Sequence, residues 1–426
     1  MAIIEPFKGL RYSPRQVPDP SRAIAPPYDV ISPPDRDDYY RQDPHNIIRL
    51  ILPKDPPHVA HGNCYDMAAR YLETWLEEGV LVEDEQPAVY VTDTDFVHEC
   101  RHHTRRSFIA AVRLEPLGAG TIFPHEETLP GPKADRLALL RATRTNLSPI
   151  FGLYPDDGTV FEILDDAPMS EPLCTVVDRA DVQTTMRVIT DETTINTLKA
   201  RLASRPIFIA DGHHRYETAL KYRGPEPTGT PADYVMMACT SCLDPGLLIL
   251  PTHRVVKADG VFDHDKFLKS AAKHFEIVRL REPDTHPADV LLNAIERVEH
   301  HAFGLYAAEG KMSVLRLLSD ELAVQNPSPH SHDWKMLEVP VLHWLILHEL
   351  LAIDSEAARD GERVYYTRDA CEAVDLVEDG QYDLALLIKP TRVWQMKRVA
   401  ELNERMPPKS TYFYPKLPSG LVLRKL

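Results

Sequence analysis

Ile207-Phe208-Ile209-Ala210-Asp211-Gly212-His213-His214-Arg215-Tyr216-Glu217-Thr218-Ala219-Leu220 joins a short apolar run to a glycine and then to two histidines and an arginine. A nearly continuous apolar run of this length, entered through Pro206, reads as a buried strand. Gly212 supplies the turn, and the residues after it open a helix. A helix start offers backbone N–H groups and the positive end of the helix dipole, and a guanidinium adds a fork that can hold two oxygens. The stretch therefore reads as an anion site. A plainer reading makes Asp211 a helix cap and the histidines surface residues, which explains the Asp and Gly but gives no reason for the His-His-Arg cluster.

Working outward, strands and helices alternate along the chain, an α/β or α+β pattern. Cys64, Ala68, Tyr71, Leu72, Trp75 and Leu76 keep helical spacing, and Gly79 supplies a stop. Strands are expected over 88–91, 107–112, 149–154, 234–238 and 247–250. Residues 134–146 read as a helix, as does a segment capped by Thr190 that carries Ile195, Leu198 and Leu202. Beyond it, helices are expected over 264–275 and 288–300, strands over 302–307 and 312–317, and a core helix over 337–351 with Pro340 in its first turn. The proline-rich segment 406–423 reads as extended strands at a surface or cleft. A charged turn at Ala258-Asp259-Gly260 suggests domains at 1–256, a nucleotide-binding α/β region, and 257–426, an α+β domain whose tail closes the site.

The chain has 426 residues, 48 Lys+Arg, 64 Asp+Glu and a formal charge of -16. That length suggests two or three domains at about 150 residues each. A hydrophobic share of 43% and a charged share of 26% exclude global disorder. The acidity argues against a protein whose whole surface grips DNA or anionic lipid, so any anion site must be local. No run is long and apolar enough to span a bilayer, and Met1-Ala2-Ile3-Ile4-Glu5-Pro6 lacks the pattern of a secretory leader; a cytoplasmic location is expected. The Cys239/Cys242 pair lies in a strand and its exit turn without a second pair to complete a zinc site, and is read as structural.

The turn at Gly212 is similar to the Gly-x-His-Arg element of the ParB/sulfiredoxin-like fold, which implies a nucleotide-binding core of that type beside a second α+β domain. Sulfiredoxin carries a cysteine where this chain has His213, so sulfinic acid reduction is not implied. ParB-type switches bring a DNA-reading helical domain, and no basic recognition helix is visible here. A wider resemblance rests on Pro6-Phe7-Lys8-Gly9-Leu10-Arg11, Ala25-Pro26-Pro27-Tyr28-Asp29-Val30, Pro124-His125-Glu126-Glu127-Thr128, Lys133-Ala134-Asp135-Arg136-Leu137, Asp211-Gly212-His213-His214-Arg215-Tyr216, Pro251-Thr252-His253-Arg254 and Met406-Pro407-Pro408-Lys409-Ser410-Thr411. Together these resemble the family called domain of unknown function 1015. The shared fold also houses free serine kinases, an analogy between sites that points to L-serine as the first acceptor to test.

These blocks fit phosphoryl transfer, which needs cations on phosphate oxygens, Mg²⁺ and a carboxylate near the acceptor hydroxyl. Gly212, His213, His214 and Arg215 are the expected phosphate contacts, joined by Lys133 and Arg136 at a helix start and by His253 and Arg254 at a strand end. Glu126 is the expected acceptor base, with Asp29 and Asp211 as the other carboxylates, and His125 and Glu126 are candidate metal ligands. Some of these have a structural alternative: an exposed ion-paired turn for Lys133, Asp135 and Arg136, and a rigid turn for Asp29; Lys409, Ser410, Thr411 and Lys416 either close the site from the C-terminus or form a solvated tail.

The leading expectation is an ATP- or ADP-dependent kinase for a small hydroxylated metabolite, with monomer and homo-oligomer both open. A metal-dependent phosphatase or phosphodiesterase built on His125, Glu126, Asp211, His213 and His214 is the second enzyme reading. A nucleotide-binding regulatory module is the non-enzymatic one. No G-x-x-x-x-G-K-[ST], G-x-G-x-x-G or G-x-S-x-G motif competes.

Overall fold

The computed structural model describes the chain except residues 1, 56–62, 119, 127–129, 282–284, 355–356 and 359–361, and the side chains of 130–132. The architecture is mixed α/β and divides into two units: residues 1–124, 128–248 and 413–426 form one, and 125–127 with 249–412 form the other. Among the described residues no helix is long and apolar enough to cross a membrane.

The first unit is built on a nine-stranded mixed sheet in the order Ile122–Pro124, Ile207–Asp211, Ile150–Tyr154, Tyr234–Ser241, Arg101–Arg113, Val89–His98, Gln183–Ile189, Cys174–Val177, with Ile4–Glu5 paired to Arg101–Arg113. The centre is apolar on both faces because both are covered. Ile195, Leu198 and Leu202 of the helix Glu192–Leu202, and Tyr216 and Ala219 of His213–Arg223, pack one face against Ile150, Ile207, Ile209, Met237 and Cys239. Phe7, Ile24, Leu421 and Val422 pack the other against Tyr90, Ile109, Met236 and Ala238. Cys239 is thus a core residue, and burial raises its thiol far above the ordinary range. The second unit holds an antiparallel six-stranded sheet, Phe275–Leu280, Lys311–Leu317, Ala302–Ala307, Leu384–Leu387, His253–Val256, Val364–Thr367.

Several boundaries differ from the sequence reading for local reasons. Asp191, not Thr190, caps the helix Glu192–Leu202, its carboxylate accepting the Thr194 N–H at 2.7 Å. The helix expected over 134–146 runs Pro130–Thr143, because Arg144 turns at φ +46 into a short strand. The helix after His264 stops at Ala271, and Phe275 instead begins a strand that pairs with Lys311–Leu317. Helix Pro287–Glu296 stops short of 300. Glu338–Val341 is α-helical with Pro340 in it, and continues as a π-helix over Leu342–Leu350. Segment 406–423 is extended where expected, at Tyr412–Tyr414, but Ser410 is 2% exposed, so this part is no solvated tail.

Gly152 sits in the strand between Ile207–Asp211 and Tyr234–Ser241, where an added Cβ would lie 2.6 Å from Met237 Sδ and 2.8 Å from Ile207 Cγ2. Gly152→Ala is expected to cost about 1–3 kcal/mol by overpacking, measured by urea unfolding; an unchanged midpoint would show that the two neighbours yield freely.

Candidate functional site

The Ile207–Asp211 strand pairs in parallel with Ile122–Pro124 and antiparallel with Ile150–Tyr154. Its register shifts between Ile209 and Asp211, a bulge that re-aims the last residue of the strand. Gly212 follows at φ +90 and ψ 27, a left-handed conformation natural to glycine, and is the N-cap of His213–Arg223. A Cβ there would approach the Arg215 guanidinium to 3.0 Å. The helix is anchored by Tyr216, whose hydroxyl donates to Glu115 O and accepts from Glu115 N–H, both at 2.9 Å.

Asp211 is the electrostatic centre of this turn. Lys416 Nζ lies 2.7 Å from Oδ2, and Arg215 Nη2 lies 3.5 Å from Oδ1. Burial opposes ionisation of the Asp211 carboxyl, but Lys416 and Arg215, with His213 adding to them, hold it well below the usual carboxylate range. Arg215 also donates through Nη1 to Pro149 O, and its buried Nε has no acceptor among the described residues. Lys416 comes from the C-terminal segment that belongs to this unit.

Lys133 and Arg136, the other first-unit cations expected at this site, have partners of their own. Lys133 pairs with Glu217, which ties Pro130–Thr143 to His213–Arg223. Arg136 donates to Ile51 O at 2.6 Å, pairs with Asp135, and stacks 4.1 Å from the Tyr28 ring centroid. Tyr28 links them: burial and Asp29 raise its hydroxyl pKa while Arg136 and Arg215 pull it down, so both guanidinium groups act on this one phenol. Asp29 itself is exposed on the turn Tyr28–Val30.

In the second unit, His125 is fully buried, its Nε2 2.7 Å from Thr411 Oγ1 and 3.9 Å from Glu126 Oε2. Glu126, with 23% of its side chain exposed, accepts the Lys409 N–H at 2.9 Å. Lys409 holds that N–H in place at φ +63, left-handed for a residue that carries a Cβ. Arg254 is fully buried, donating to Thr252 O and to Lys409 O at 3.2 Å, with its Nη2 3.4 Å from His343 Nε2. Burial lowers its pKa to about 10, opposed by Tyr366 and Glu126, which leaves it charged at neutral pH. His253 is different: it is buried, its Nδ1 accepts the Ile388 N–H at 3.2 Å, and burial lowers its pKa to about 4. It is a neutral structural histidine at neutral pH. Glu127 and Thr128 lie outside the described residues. Among the described residues, no group of three or more His, Cys, Asp or Glu side chains gathers as a metal-ligand set.

Sequence reasoning missed Tyr28, Arg105, His343 and Tyr366. Tyr28 adjoins Asp29 in the sequence, but nothing in its spacing ties it to Arg215. Arg105 shares the phase of Ser107, Ile109 and Ala111 in its strand, which was the available sign that it faces inward.

Lys416→Met is expected to destabilise the fold at pH 7 by about 1–3 kcal/mol, the cost of leaving a partly buried carboxylate short of a partner. A depressed Asp211 pKa contributes stability above the unfolded value of about 3.9 and loses it as pH falls through the folded value. The deficit of the variant should therefore shrink below about pH 4. Urea unfolding at pH 7 and pH 3 checks this, and an equal deficit at both would mean Lys416 acts through packing alone.

No curated protein matches the chain. Among solved structures, a free serine kinase variant in complex with AMP aligns at 12% identity over 69% of this chain and 84% of its own, with TM-score 0.36. A conserved hypothetical protein from Pyrococcus furiosus aligns at 14% over 70% and 90%, TM-score 0.35. SbnI with C-terminal truncation from Staphylococcus aureus aligns at 12% over 72% and 84%, TM-score 0.35. Residues 4–340 match the family model described as "Protein of unknown function (DUF1015)", and over that span the chain belongs to this family.

Proposed function

We propose that the chain binds a nucleotide by its phosphates at the Asp211–Arg215 turn and transfers a phosphoryl group to a small hydroxylated metabolite. The observation that carries this reading is the convergence of Arg215 and Lys416 on Asp211, where a left-handed glycine opens a helix beginning His213-His214-Arg215. The cap residue is a glycine, so no cap side chain competes with a ligand for the first-turn N–H groups. Asp211 holds the two cations at the turn before any ligand arrives, the kind of preorganised charge that phosphoryl transfer uses. Arg136, sharing Tyr28 with Arg215, is the further cation of the same unit.

Glu126 is the carboxylate we assign to the acceptor hydroxyl. It is partly exposed and oriented by the Lys409 N–H, with His125 beside it, as a base that must meet substrate requires. The nucleotide, ATP or ADP, is taken as its magnesium salt, and the ion supplies charge neutralisation on the phosphates.

A phosphorus NMR time course with MgATP and then MgADP, each with and without L-serine, tests the reaction. Acceptor-dependent phosphomonoester supports it, acceptor-independent phosphate identifies a hydrolase, and tight binding without turnover of either nucleotide identifies a regulatory module. Arg215→Ala should weaken nucleotide binding about 10- to 100-fold in calorimetry, the loss of one charge-assisted contact. A variant that binds as tightly as the parent would remove Arg215 from the site. Glu126→Gln should leave binding intact and slow turnover about 100-fold or more; an unchanged rate would reassign the base.

A further inference from the structure

Arg105 is fully buried in the strand Arg101–Arg113, with Thr94 as its cross-strand partner. Its Nη1 donates to Pro415 O at 2.9 Å and more weakly to Tyr414 O at 3.4 Å, and its guanidinium carbon lies 5.0 Å from the Phe151 ring centroid. Its Nε and Nη2 are buried and meet no hydrogen-bond acceptor among the described residues. Those two nitrogens share one edge of the guanidinium plane, the edge that grips two coplanar oxygens side-on. The nearby Asp244 acts on Arg105 only through its field, its own oxygens accepting the Arg106 N–H at 3.1 Å and the Gly246 N–H at 2.9 Å. On the same face of the strand, Ser107 shares a 2.6 Å hydroxyl hydrogen bond with Thr240, both buried.

We propose that Arg105 is a carboxylate-binding residue, its Nε/Nη2 edge receiving the carboxylate of a small organic acid. A carboxylate brings two coplanar oxygens and a single negative charge, whereas a phosphate dianion would exceed what one guanidinium compensates with Asp244 already in its field. The edge is covered in this structure, so entry requires its cover to move, and the Tyr414–Pro415 segment, which Arg105 holds through Nη1, is the part that would move. Resting on the kinase reading, the inference also names the acceptor class: a hydroxylated metabolite that carries a carboxylate.

The test is thermal unfolding of the full chain at constant ionic strength with acetate, its neutral counterpart acetamide, chloride or inorganic phosphate. Acetate should stabilise the parent beyond the other three, and neither Arg105→Met nor Arg105→Lys should show that increment. The methionine variant is expected to fold at least as stably as the parent without ligand, since it relieves a buried unsatisfied cation. Should it fail to fold, the lysine variant, which keeps the charge and loses the fork, carries the comparison. Equal effects of acetate and chloride on the parent, or an acetate increment retained in the variants, would overturn the proposal, and a phosphate effect exceeding that of acetate would overturn the choice of carboxylate. Calorimetry with D-glycerate against glycerol should show at least about 30-fold preference for the acid, the scale of losing a buried charge pair; no preference would overturn the acceptor class. Nucleotide binding measured in parallel keeps the two readings apart: carboxylate binding without nucleotide binding sinks only the kinase, and the reverse sinks only Arg105.

Discussion

A carboxylate at the end of a buried strand must find its counter-charge within reach, and Asp211 is that carboxylate. Ile207–Asp211 is flanked on both sides, so its polar end emerges at one point, where the bulge and Gly212 turn the chain into a helix. Arg215, four residues on, supplies one cation from the helix itself. Lys416 supplies the other across 205 residues of sequence, which makes the C-terminal segment part of the first unit's chemistry. The tail is further held by Leu423–Lys425, paired with Gly9–Tyr12 and Thr145–Asn146. The same segment covers the sheet face that carries Arg105, so Arg105 and the Asp211 turn share one strap.

What could be read from the sequence followed local physics. The Ile207–Asp211 strand, the glycine turn and the helix after it were legible because a buried run, a left-handed turn and a helix start each leave a mark within a few residues. The helix Cys64–Glu77 and the strands near 302 and 312 were legible for the same reason. Elements whose stability is tertiary were not: Phe275–Leu280 alternates Phe-Glu-Ile-Val-Arg-Leu weakly, and only its pairing with Lys311–Leu317 makes it a strand. Partners were the least legible part. Nothing local says that Lys416 belongs to Asp211, that Thr411 belongs to His125, or that Arg136 lies on Tyr28.

Charge that burial would neutralise must be compensated or used, and the buried arginines separate along that line. Arg424 is 5% exposed and Arg136 8%. Arg424 spends its nitrogens on Asn146, Tyr234 O and Pro231 O, and Arg136 on Asp135 and Ile51 O. Neither has an orphaned nitrogen among the described residues. Both have donors engaged on the carbonyls of neighbouring segments. Arg105 and Arg254 are fully buried and do have orphaned nitrogens. Arg254 lacks an acceptor only at Nε, its Nη2 being taken by Lys409 O, so its side-on edge is already half used. Arg105 alone of the four presents a whole edge. A fold selected for stability alone would replace such a residue with an apolar one of similar volume, since a buried cation short of partners destabilises. Its orphaned edge, on the strand face that carries the Ser107–Thr240 hydroxyl pair and under a strap that Arg105 helps to hold, leaves two donors that the oxygens of a carboxylate would satisfy.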